Sequence, residues 1–206
     1  MKVYHFVDEK YGLKDLREKR QKISRIMELN DPFEFLGMEL SDPEFRKAMK
    51  STKKQLAKTK GILCFSETWT NPVQWSHYAN NHKGVCLGFD VPKTSLSKVN
   101  YIEERLPHNG KIDESLMIKF LTTKFSHWSY EKEYRAFLSL DKEENGLYYS
   151  NFSDSFKLSS VIIGAHSKVA KSQIAKTIDK NVEIFKARAA FRSFKIVRNK
   201  NEDMWA

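Results

Sequence analysis

Apolar and polar positions along the chain follow short patterns that change several times between strand-like and helix-like spacing. Every second residue from 85 to 91 is apolar, which predicts a strand. Apolar residues recur at helical spacing from Phe45 to Leu56, directly after the helix-starting pair Asp42-Pro43. The same criteria predict further strands at 2–7, 22–27, 61–66, 133–140, 161–164, 182–185 and 192–197, and further helices after Asp8 and over 72–79, 115–125 and 168–179.

These short strands with interspersed helices show no regular βαβ rhythm. The pattern favours an α+β fold, with a split, strongly twisted and mainly antiparallel sheet flanked by helices. No repeat, low-complexity stretch or clear boundary interrupts the chain, so residues 1–206 are expected to form a single domain.

Composition argues against several classes of protein. With 40% hydrophobic and 13% aromatic residues, the chain is too apolar for a disordered protein. No apolar run approaches the roughly 18 to 20 residues of a membrane helix, and the N-terminus lacks the apolar core of a signal peptide. The two cysteines, Cys64 and Cys86, exclude a disulfide scaffold, so a cytoplasmic protein without a membrane partner is expected.

Basic residues exceed acidic ones by ten over 206 residues, and the excess is concentrated in two regions. Residues 46–60 include seven basic residues and no acidic one, and the tail from His166 onward includes ten basic and four acidic residues. The excess permits nucleic acid, an anionic cofactor or an anionic membrane surface as a partner and does not choose among them. Lys50, Lys53, Lys54 and the C-terminal lysines form either solvated helix faces or a surface that binds nucleic acid or another anion.

The common signatures of cofactor and metal sites are absent from the sequence. The eight glycines form neither a phosphate loop nor a dinucleotide-binding motif, and no Gly-x-Ser-x-Gly elbow occurs. His77 and His82 are five positions apart, whereas a helical zinc pair is separated by four, so no metal site is predicted. Cys64 stands in an apolar strand, where a thiol is usually a small buried hydrophobe.

Three stretches carry more unusual side chains than folding alone demands: residues 4–6, 64–84 and 128–135. In the third, Glu131, Glu133 and Arg135 alternate at strand spacing and are expected to share one face. Two carboxylates and a guanidinium suit a site that stabilises a cation and organises sugar hydroxyls. Taken alone, the pattern is more typical of an exposed sheet face with a Glu–Arg pair. Trp75 and Tyr78, three positions apart, are likewise more typical of a core.

Several of these motifs occur together with a turn sequence earlier in the chain. The set consists of Asn30-Asp31-Pro32-Phe33-Glu34, Cys64-Phe65-Ser66, Trp75-Ser76-His77-Tyr78-Ala79, His82-Lys83-Gly84, and Trp128 with Glu131, Glu133 and Arg135. As a set, these motifs resemble the domain of unknown function 2971 family, a bacterial and phage-associated family. The resemblance covers about residues 2–197 and implies relatives rather than a reaction.

The order of the motifs is also similar, more remotely, to the ADP-ribosyltransferase superfamily. There, a first strand carries an aromatic or histidine motif, as residues 4–6 do. A second strand ends in an aromatic and a small residue and leads to a helix with a tyrosine, as Phe65-Ser66 and Tyr78 do. A later strand starts with Glu-x-Glu, as residues 131–133 do. The similarity implies that superfamily's fold, NAD as cofactor, and an ADP-ribosyltransferase or NAD glycohydrolase of the toxin or phage-defence type, with a nucleic acid or protein acceptor.

The similarity also implies roles for single residues. Glu133 would stabilise positive charge on the ribose as nicotinamide leaves, and Glu131 would activate the acceptor. His5 would hydrogen-bond to the adenosine-side ribose. Nicotinamide would stack on Tyr78, Phe65 or Trp75, and Arg25 or Arg135 would neutralise the pyrophosphate. Tyr4 and Ser66 would make further contacts with the cofactor. The turn from Asn30 to Glu34 would sit on a mobile loop over the cofactor.

Three hypotheses follow. An NAD-dependent enzyme requires His5, Ser66, Tyr78 and Glu133 to converge on one cleft. A non-enzymatic basic module that binds nucleic acid or protein on the same fold would have these residues dispersed and its lysines in a continuous patch. A hydrolase built on His5 and the glutamates is the third, although no aspartate cluster suits a two-metal site.

Overall fold

Short strands and helices alternate in the computed structural model, which describes residues 1–107 and 113–201. The strands are β1 (Lys2–Val7), β2 (Arg20–Arg25), β3 (Lys60–Ser66), β4 (Val85–Asp90), β5 (Ser97–Lys98), β6 (Asn100–Ile102), β7 (Thr123–Phe125), β8 (Glu133–Ser139), β9 (Glu143–Glu144), β10 (Leu147–Asn151), β11 (Lys157–Ile163), β12 (Glu183–Ala189) and β13 (Ile196–Arg198). The α-helices are α1 (Glu9–Glu18), α2 (Pro43–Thr59), α3 (Pro72–Tyr78), α4 (Glu114–Thr122) and α5 (Lys171–Ala175), and the 3-10 helices are Ile26–Glu28, Lys93–Ser95 and Ser126–Glu131. In these two ranges, no helix combines the length and the apolar character needed to cross a membrane.

Eleven of these strands form one mostly antiparallel sheet, and β6 and β7 pair separately. The order is β13-β12-β11-β4-β1-β3-β2-β10-β9, with β8 paired to β3 and β5 paired to β8. The pair β11–β12 is parallel, with α5 in the connection between its strands. The predicted combination of a large, mainly antiparallel sheet with several helices is confirmed.

Two strands share one edge of β3 and diverge from each other. β1 reaches this edge only at the pair Tyr4–Ser66, while β2 reaches it farther along, at the pair Ser24–Ile62. Along the rest of its length, β1 follows β4. Among the described residues, no strand therefore covers β3 on this edge at Cys64, and the sheet is open at that point.

The helix starts are set by local sequence. Asp42 accepts a hydrogen bond from the backbone N–H of Phe45, Asn71 accepts one from Val73, and a proline follows each of these caps. Asp8 starts α1 in the same way. Such caps satisfy backbone N–H groups that have no partner within the helix itself. All three predicted helix starts are confirmed by these hydrogen bonds.

Other elements differ from their predictions. The helix predicted over 168–179 is only five residues long in α5, because Thr177 donates to the carbonyl of Ile174 and closes a tight turn there. Strand β2 spans Arg20–Arg25 rather than 22–27. The sequence did not predict β10, whose residues are half-buried up to Asn151 and so show no contrast between two faces.

Strand β4 is buried on both faces, although only one face was predicted to be apolar. Its larger residues, such as Leu87 and Phe89, lie in the main core cluster. Cys86 points to the other side, where it belongs to a cluster with Trp75 of α3 and Ile162 of β11. Of the small residues of β4, Cys86 is therefore buried by α3, whereas Gly88 is covered by Tyr4 of β1 and Ser160 of β11.

Asp15 makes the stability of the fold depend on pH. It is a buried residue of α1, and burial, reinforced by the nearby Glu18 carboxylate, raises its pKa to about 7. The unperturbed pKa of an aspartate is far lower, so the folded state favours the protonated form. This contribution to stability is full at low pH and is lost as the pH rises through about 7.

We expect Asp15→Asn to raise the free energy of unfolding by about 2 kcal/mol at about pH 8 and to change it little at about pH 4. Urea unfolding at both pH values measures the effect. The exposed Asp141 provides a control, because Asp141→Asn should change neither value. Equal effects of Asp15→Asn at the two pH values would contradict the prediction.

Candidate active site

A cavity of about 430 Å³ opens where the edge of β3 is uncovered. Its walls come from β1, β3, α3, the segment after β2, and the segment from β7 to β8. The residues predicted for the site that line it are Tyr4, His5, Asn30, Phe65, Ser66, Tyr78, Glu131 and Glu133. The structure thus brings His5, Ser66, Tyr78 and Glu133 together in one cleft.

Glu133 and Arg135 form a buried ion pair at this cavity. Arg135 Nε lies 2.8 Å from Glu133 Oε1, Nη2 lies 3.0 Å from Oε2, and Nη1 donates to the carbonyl of Leu121 at 2.8 Å. Only 1% of Arg135 and 4% of Glu133 is exposed. The two side chains share a face, as their spacing predicts. The expectation that such a Glu–Arg pair is exposed is wrong, because both side chains are buried.

Lys124 on β7 connects this pair to two more carboxylates. Its Nζ lies 2.7 Å from Glu131 Oε2, 3.4 Å from Glu133 Oε2 and 3.8 Å from Glu34 Oε2. The other oxygen of Glu34 lies 2.7 Å from Arg135 Nη2. Three carboxylates and two cations leave this buried cluster with a formal charge of −1, which favours a cationic ligand or transition state.

The two glutamates predicted to be catalytic have different proton affinities. Burial raises the pKa of Glu133, but Arg135 and Lys124 outweigh burial and hold this pKa below its usual value. Burial also raises the pKa of Glu131, and there the hydrogen bonds from Lys124 and Tyr78 only partly offset it. Glu133 is therefore a fixed negative charge, whereas Glu131 is the better proton acceptor.

Glu131 is held at both its side chain and its backbone. The Tyr78 hydroxyl donates to Glu131 Oε1, and Asn30 Nδ2 donates to that hydroxyl at 3.4 Å. Ser66 Oγ and Gln74 Nε2 each donate to the Glu131 carbonyl at 2.6 Å. Glu131 ends the 3-10 helix Ser126–Glu131 rather than lying on β8, so these contacts, and not the sheet, fix its position.

His5 presents a neutral ring to the cavity. Its Nδ1 lies 2.9 Å from the Cys64 carbonyl, which can only accept, so Nδ1 carries the proton. Burial lowers the pKa of His5, so Nε2 carries no proton at neutral pH. That nitrogen can accept a hydrogen bond from a ligand hydroxyl, as the implied contact with a ribose requires.

Three residues predicted to contact the cofactor do not line the cavity. Trp75 is fully buried, with its ring against Phe6 and its Nε1 donating to the Trp69 carbonyl, so it cannot stack on a ligand. Arg25 pairs with Glu28 on the surface. The Arg135 guanidinium is taken up by carboxylates and a carbonyl, so it cannot also neutralise a pyrophosphate.

The segment predicted to form a mobile loop over the cofactor is anchored at its end. Asn30 lines the cavity, but Glu34 is 3% exposed and is fixed by its ion pairs. Lys53 Nζ donates to the Glu34 carbonyl at 2.8 Å. Asp31 is also buried and accepts a hydrogen bond from the backbone N–H of Phe33. The end of this turn is therefore fixed to the rest of the protein, and the mobility of the loop over the cofactor stays a prediction.

The lysines predicted to bind nucleic acid do not all share one surface. Lys50 and Lys54 are exposed on α2, whereas Lys53 is half-buried against the loop that it anchors. Of the C-terminal lysines, Lys186 is only 8% exposed, and Lys200 is exposed.

Lys124, Glu34 and Gln74 are parts of this site that the sequence did not identify as site residues. Glu34 and Gln74 stand within motifs that the sequence analysis singled out, but the similarity to ADP-ribosyltransferases implied no contact for either side chain. Lys124 stands near the end of the amphipathic helix predicted over 115–125, where one more basic residue has no distinguishing pattern; in the structure it lies on β7. Within the described ranges, the His, Cys, Asp and Glu side chains form no group that could hold a metal ion.

We expect Tyr78→Phe to raise the pKa of Glu131 further and to cost about 1 to 2 kcal/mol of unfolding free energy, because a donor to a charged oxygen is lost. A pH titration of ¹³C-labelled glutamate carboxyl signals measures the pKa, with Glu131→Gln identifying the resonance. Tyr148→Phe is the matched control, since the Tyr148 hydroxyl donates to the Glu143 carboxylate at the surface instead. An unchanged or lower pKa in Tyr78→Phe would contradict the prediction.

Comparison with known families adds one match. The model of the family described as "Protein of unknown function (DUF2971)" matches residues 74–136, a segment that includes α3 from Gln74 onward and also Lys124, Glu131, Glu133 and Arg135. The predicted resemblance to this family is confirmed over that segment. No curated protein matches the chain, and no solved structure does.

Proposed function

We propose that this chain, which matches the DUF2971 family over residues 74–136, is an enzyme that cleaves the nicotinamide–ribose bond of NAD. ADP-ribose then passes to a nucleic acid or protein acceptor, or to water. The observation that carries the proposal is the meeting of Glu131 and Glu133 with His5, Ser66 and Tyr78 around one cavity.

The residues of the cavity fit the nicotinamide riboside half of NAD. The nicotinamide ring of NAD is cationic, and the adjacent buried cluster has a formal charge of −1. Tyr4 and Tyr78 supply aromatic surface, and the bare Nε2 of His5 can accept from a ribose hydroxyl. The Phe65 ring is 2% exposed and packs against Phe89 and Phe156 in the core. When bound, NAD supplies an N-glycosidic bond whose cleavage leaves positive charge on the ribose.

Among the described residues that line the cavity, no cation is free to bind the pyrophosphate of NAD. Lys124 is the one lysine or arginine among the described residues that line it, and three carboxylates surround its ammonium group. Arg25 and Arg135, the predicted partners of the pyrophosphate, do not line the cavity and are already paired with carboxylates. We therefore assign only the nicotinamide riboside half to the cavity.

Each glutamate has a distinct part in this proposal. Glu133 stays ionised because Arg135 and Lys124 hold its pKa down, so it presents a preorganised negative charge to the ribose. Glu131 takes the proton that the acceptor loses as its oxygen or nitrogen bonds to the ribose carbon. Tyr78, Ser66 and Gln74 hold Glu131 in position for that transfer.

The direct test is release of nicotinamide, measured by chromatography, from NAD incubated with the full-length wild-type protein. Nicotinamide riboside is a second substrate, and it should also be cleaved if the cavity contacts only this half of NAD. Single-stranded and double-stranded nucleic acids are added in parallel as acceptors. Binding is followed independently by the shift in melting temperature with NAD.

Glu144→Gln is the matched control for this test, since Glu144 pairs with Arg20 on the surface and lies outside the cavity. It should release nicotinamide at the wild-type rate. Absence of release by the wild type under every condition, together with no shift in melting temperature with NAD, would overturn the proposed function.

A further inference from the structure

The hairpin that joins β12 to β13 exposes two phenylalanines, the most exposed of the large apolar side chains in the described part of the chain. Phe191 is 89% exposed and Phe194 is 100% exposed. Ala190 N donates to the Lys195 carbonyl at 2.9 Å, so residues 191–194 form the turn of the hairpin. Apolar side chains exposed together in this way are typical of a binding surface.

Basic residues surround these rings. Residues 188–200, called here the hairpin tip, include five basic residues and no acidic one. The Arg188 guanidinium lies 4.2 Å from the centre of the Phe191 ring. Arg192 and Lys200 are exposed, and together with Arg188 and Phe191 they line one groove. Arg198 also lines the groove but is paired with Glu183.

We propose that the hairpin tip binds single-stranded nucleic acid. Unpaired bases stack on exposed aromatic rings, and neighbouring cations bind the phosphates that connect the bases. Phe194 and the outer face of Phe191 provide the stacking surfaces, while Arg192 and Lys200 provide the phosphate contacts. A double strand has its base faces covered by stacking, so it can use only the cations.

The arrangement fits a nucleic acid strand better than an anionic membrane. Arg192 and Ser193 lie between the two phenylalanines at the apex of the turn, so insertion of both rings would carry a guanidinium toward the acyl chains. The cations also line a groove beside the Phe191 ring rather than forming a ring around an apolar tip. A basic groove beside one aromatic ring, with a second exposed ring on the same turn, offers a strand both phosphate contacts and stacking surfaces.

This site is separate from the cavity and does not depend on the proposed function. β11 and β4 lie between β12 and β1, and no residue of the hairpin tip lines the cavity. Variants of the hairpin tip should therefore leave cavity-dependent reactions unchanged, and the two proposals can fail independently.

The test is fluorescence anisotropy of a labelled twelve-residue oligouridylate titrated with the full chain at low salt. We expect Phe194→Ala to weaken binding at least about fivefold and Phe194→Trp to retain it, because the larger ring still stacks. Tyr11→Ala is the matched control, since Tyr11 is another exposed ring beside a lysine but lies on α1, and it should bind as the wild type does.

Salt dependence separates this surface from the basic face of α2. Each phosphate contact contributes a slope of about −0.7 in log affinity against log salt for single strands, so Arg192→Gln should make the slope shallower by about that amount. Lys54→Gln, on α2, should leave the slope unchanged. A slope changed by Lys54→Gln and not by Arg192→Gln would place binding on α2 and overturn the proposal.

Three further outcomes would also overturn it. The first is the absence of oligouridylate binding by the wild type, and the second is binding that Phe194→Ala leaves intact. The third is tight binding to phosphatidylserine vesicles that Phe194→Ala abolishes while oligouridylate binding stays weak, which would identify a membrane as the partner.

Discussion

Replacing Arg135 by methionine is expected to lower the free energy of unfolding by about 3 to 5 kcal/mol. The guanidinium is 1% exposed and lies between the carboxylates of Glu133 and Glu34. Methionine fills much of the same volume but donates no hydrogen bond. Both carboxylates then stay buried, and among the described residues Lys124 is the one cation left within ion-pair distance of them. A buried charge that loses its partner is strongly destabilising.

Urea unfolding followed by tryptophan fluorescence measures this loss, with Arg20→Met as the matched control. Arg20 also contacts two carboxylates, those of Glu18 and Glu144, but at the surface, so its replacement should cost much less. The pKa of Glu133 is lowered in the folded state, so its ionised form stabilises the fold above the usual carboxyl pKa, and this contribution is lost as the pH falls through the lower, folded value. The effect of Arg135→Met should therefore shrink in acid. A loss no larger than that of Arg20→Met near neutral pH would contradict the prediction.

Local sequence was sufficient to predict the elements whose causes are local. Asp42 and Asn71 each cap a helix that begins at the next residue, and the predicted strand over residues 2–7 has the bounds observed for β1. The helix predicted over 168–179 was too long, because the turn that closes at Thr177 is not marked by glycine or proline. β10 was missed because its two faces have similar burial, which removes the periodic contrast that identifies a strand.

The composition of the site could be predicted only in part. Strand alternation predicted that Glu133 and Arg135 share a face, and the motif order gathered Tyr4, Ser66 and Tyr78 into one site. The contact between Arg135 and Glu34 joins segments about a hundred residues apart, and no local pattern specifies such a pair. For that reason the guanidinium was assigned to a pyrophosphate, whereas in the folded chain it is held by carboxylates.

Glu133→Gln is expected to lower kcat for nicotinamide release about 100-fold to 1,000-fold, with the KM for NAD changed only a few-fold. This prediction rests on the proposed function. A preorganised charge acts on the positive charge that develops as the bond breaks, so its loss affects the transition state more than the bound substrate. Glu131→Gln should reduce transfer to an acceptor by a similar factor while release to water falls only about tenfold, because water is abundant at the site and can pass its proton to bulk solvent once it has bonded to the ribose carbon.

Glutamine at position 133 also weakens the ion pair with Arg135, so each variant must first be shown to be folded by its circular dichroism and its urea midpoint. Glu133→Asp is a second test at the same position, because it keeps the charge but withdraws it by one methylene, and it should retain more activity than Glu133→Gln.

The two glutamates should also differ in their pH dependence. Glu133 stays ionised through neutral pH, whereas Glu131, whose pKa is raised by burial, loses its capacity to accept a proton as the pH falls through that raised value. Acceptor transfer should therefore decline at a higher pH than nicotinamide release, and coincident declines, or a folded Glu133→Gln that keeps more than about a third of the wild-type kcat, would contradict these roles.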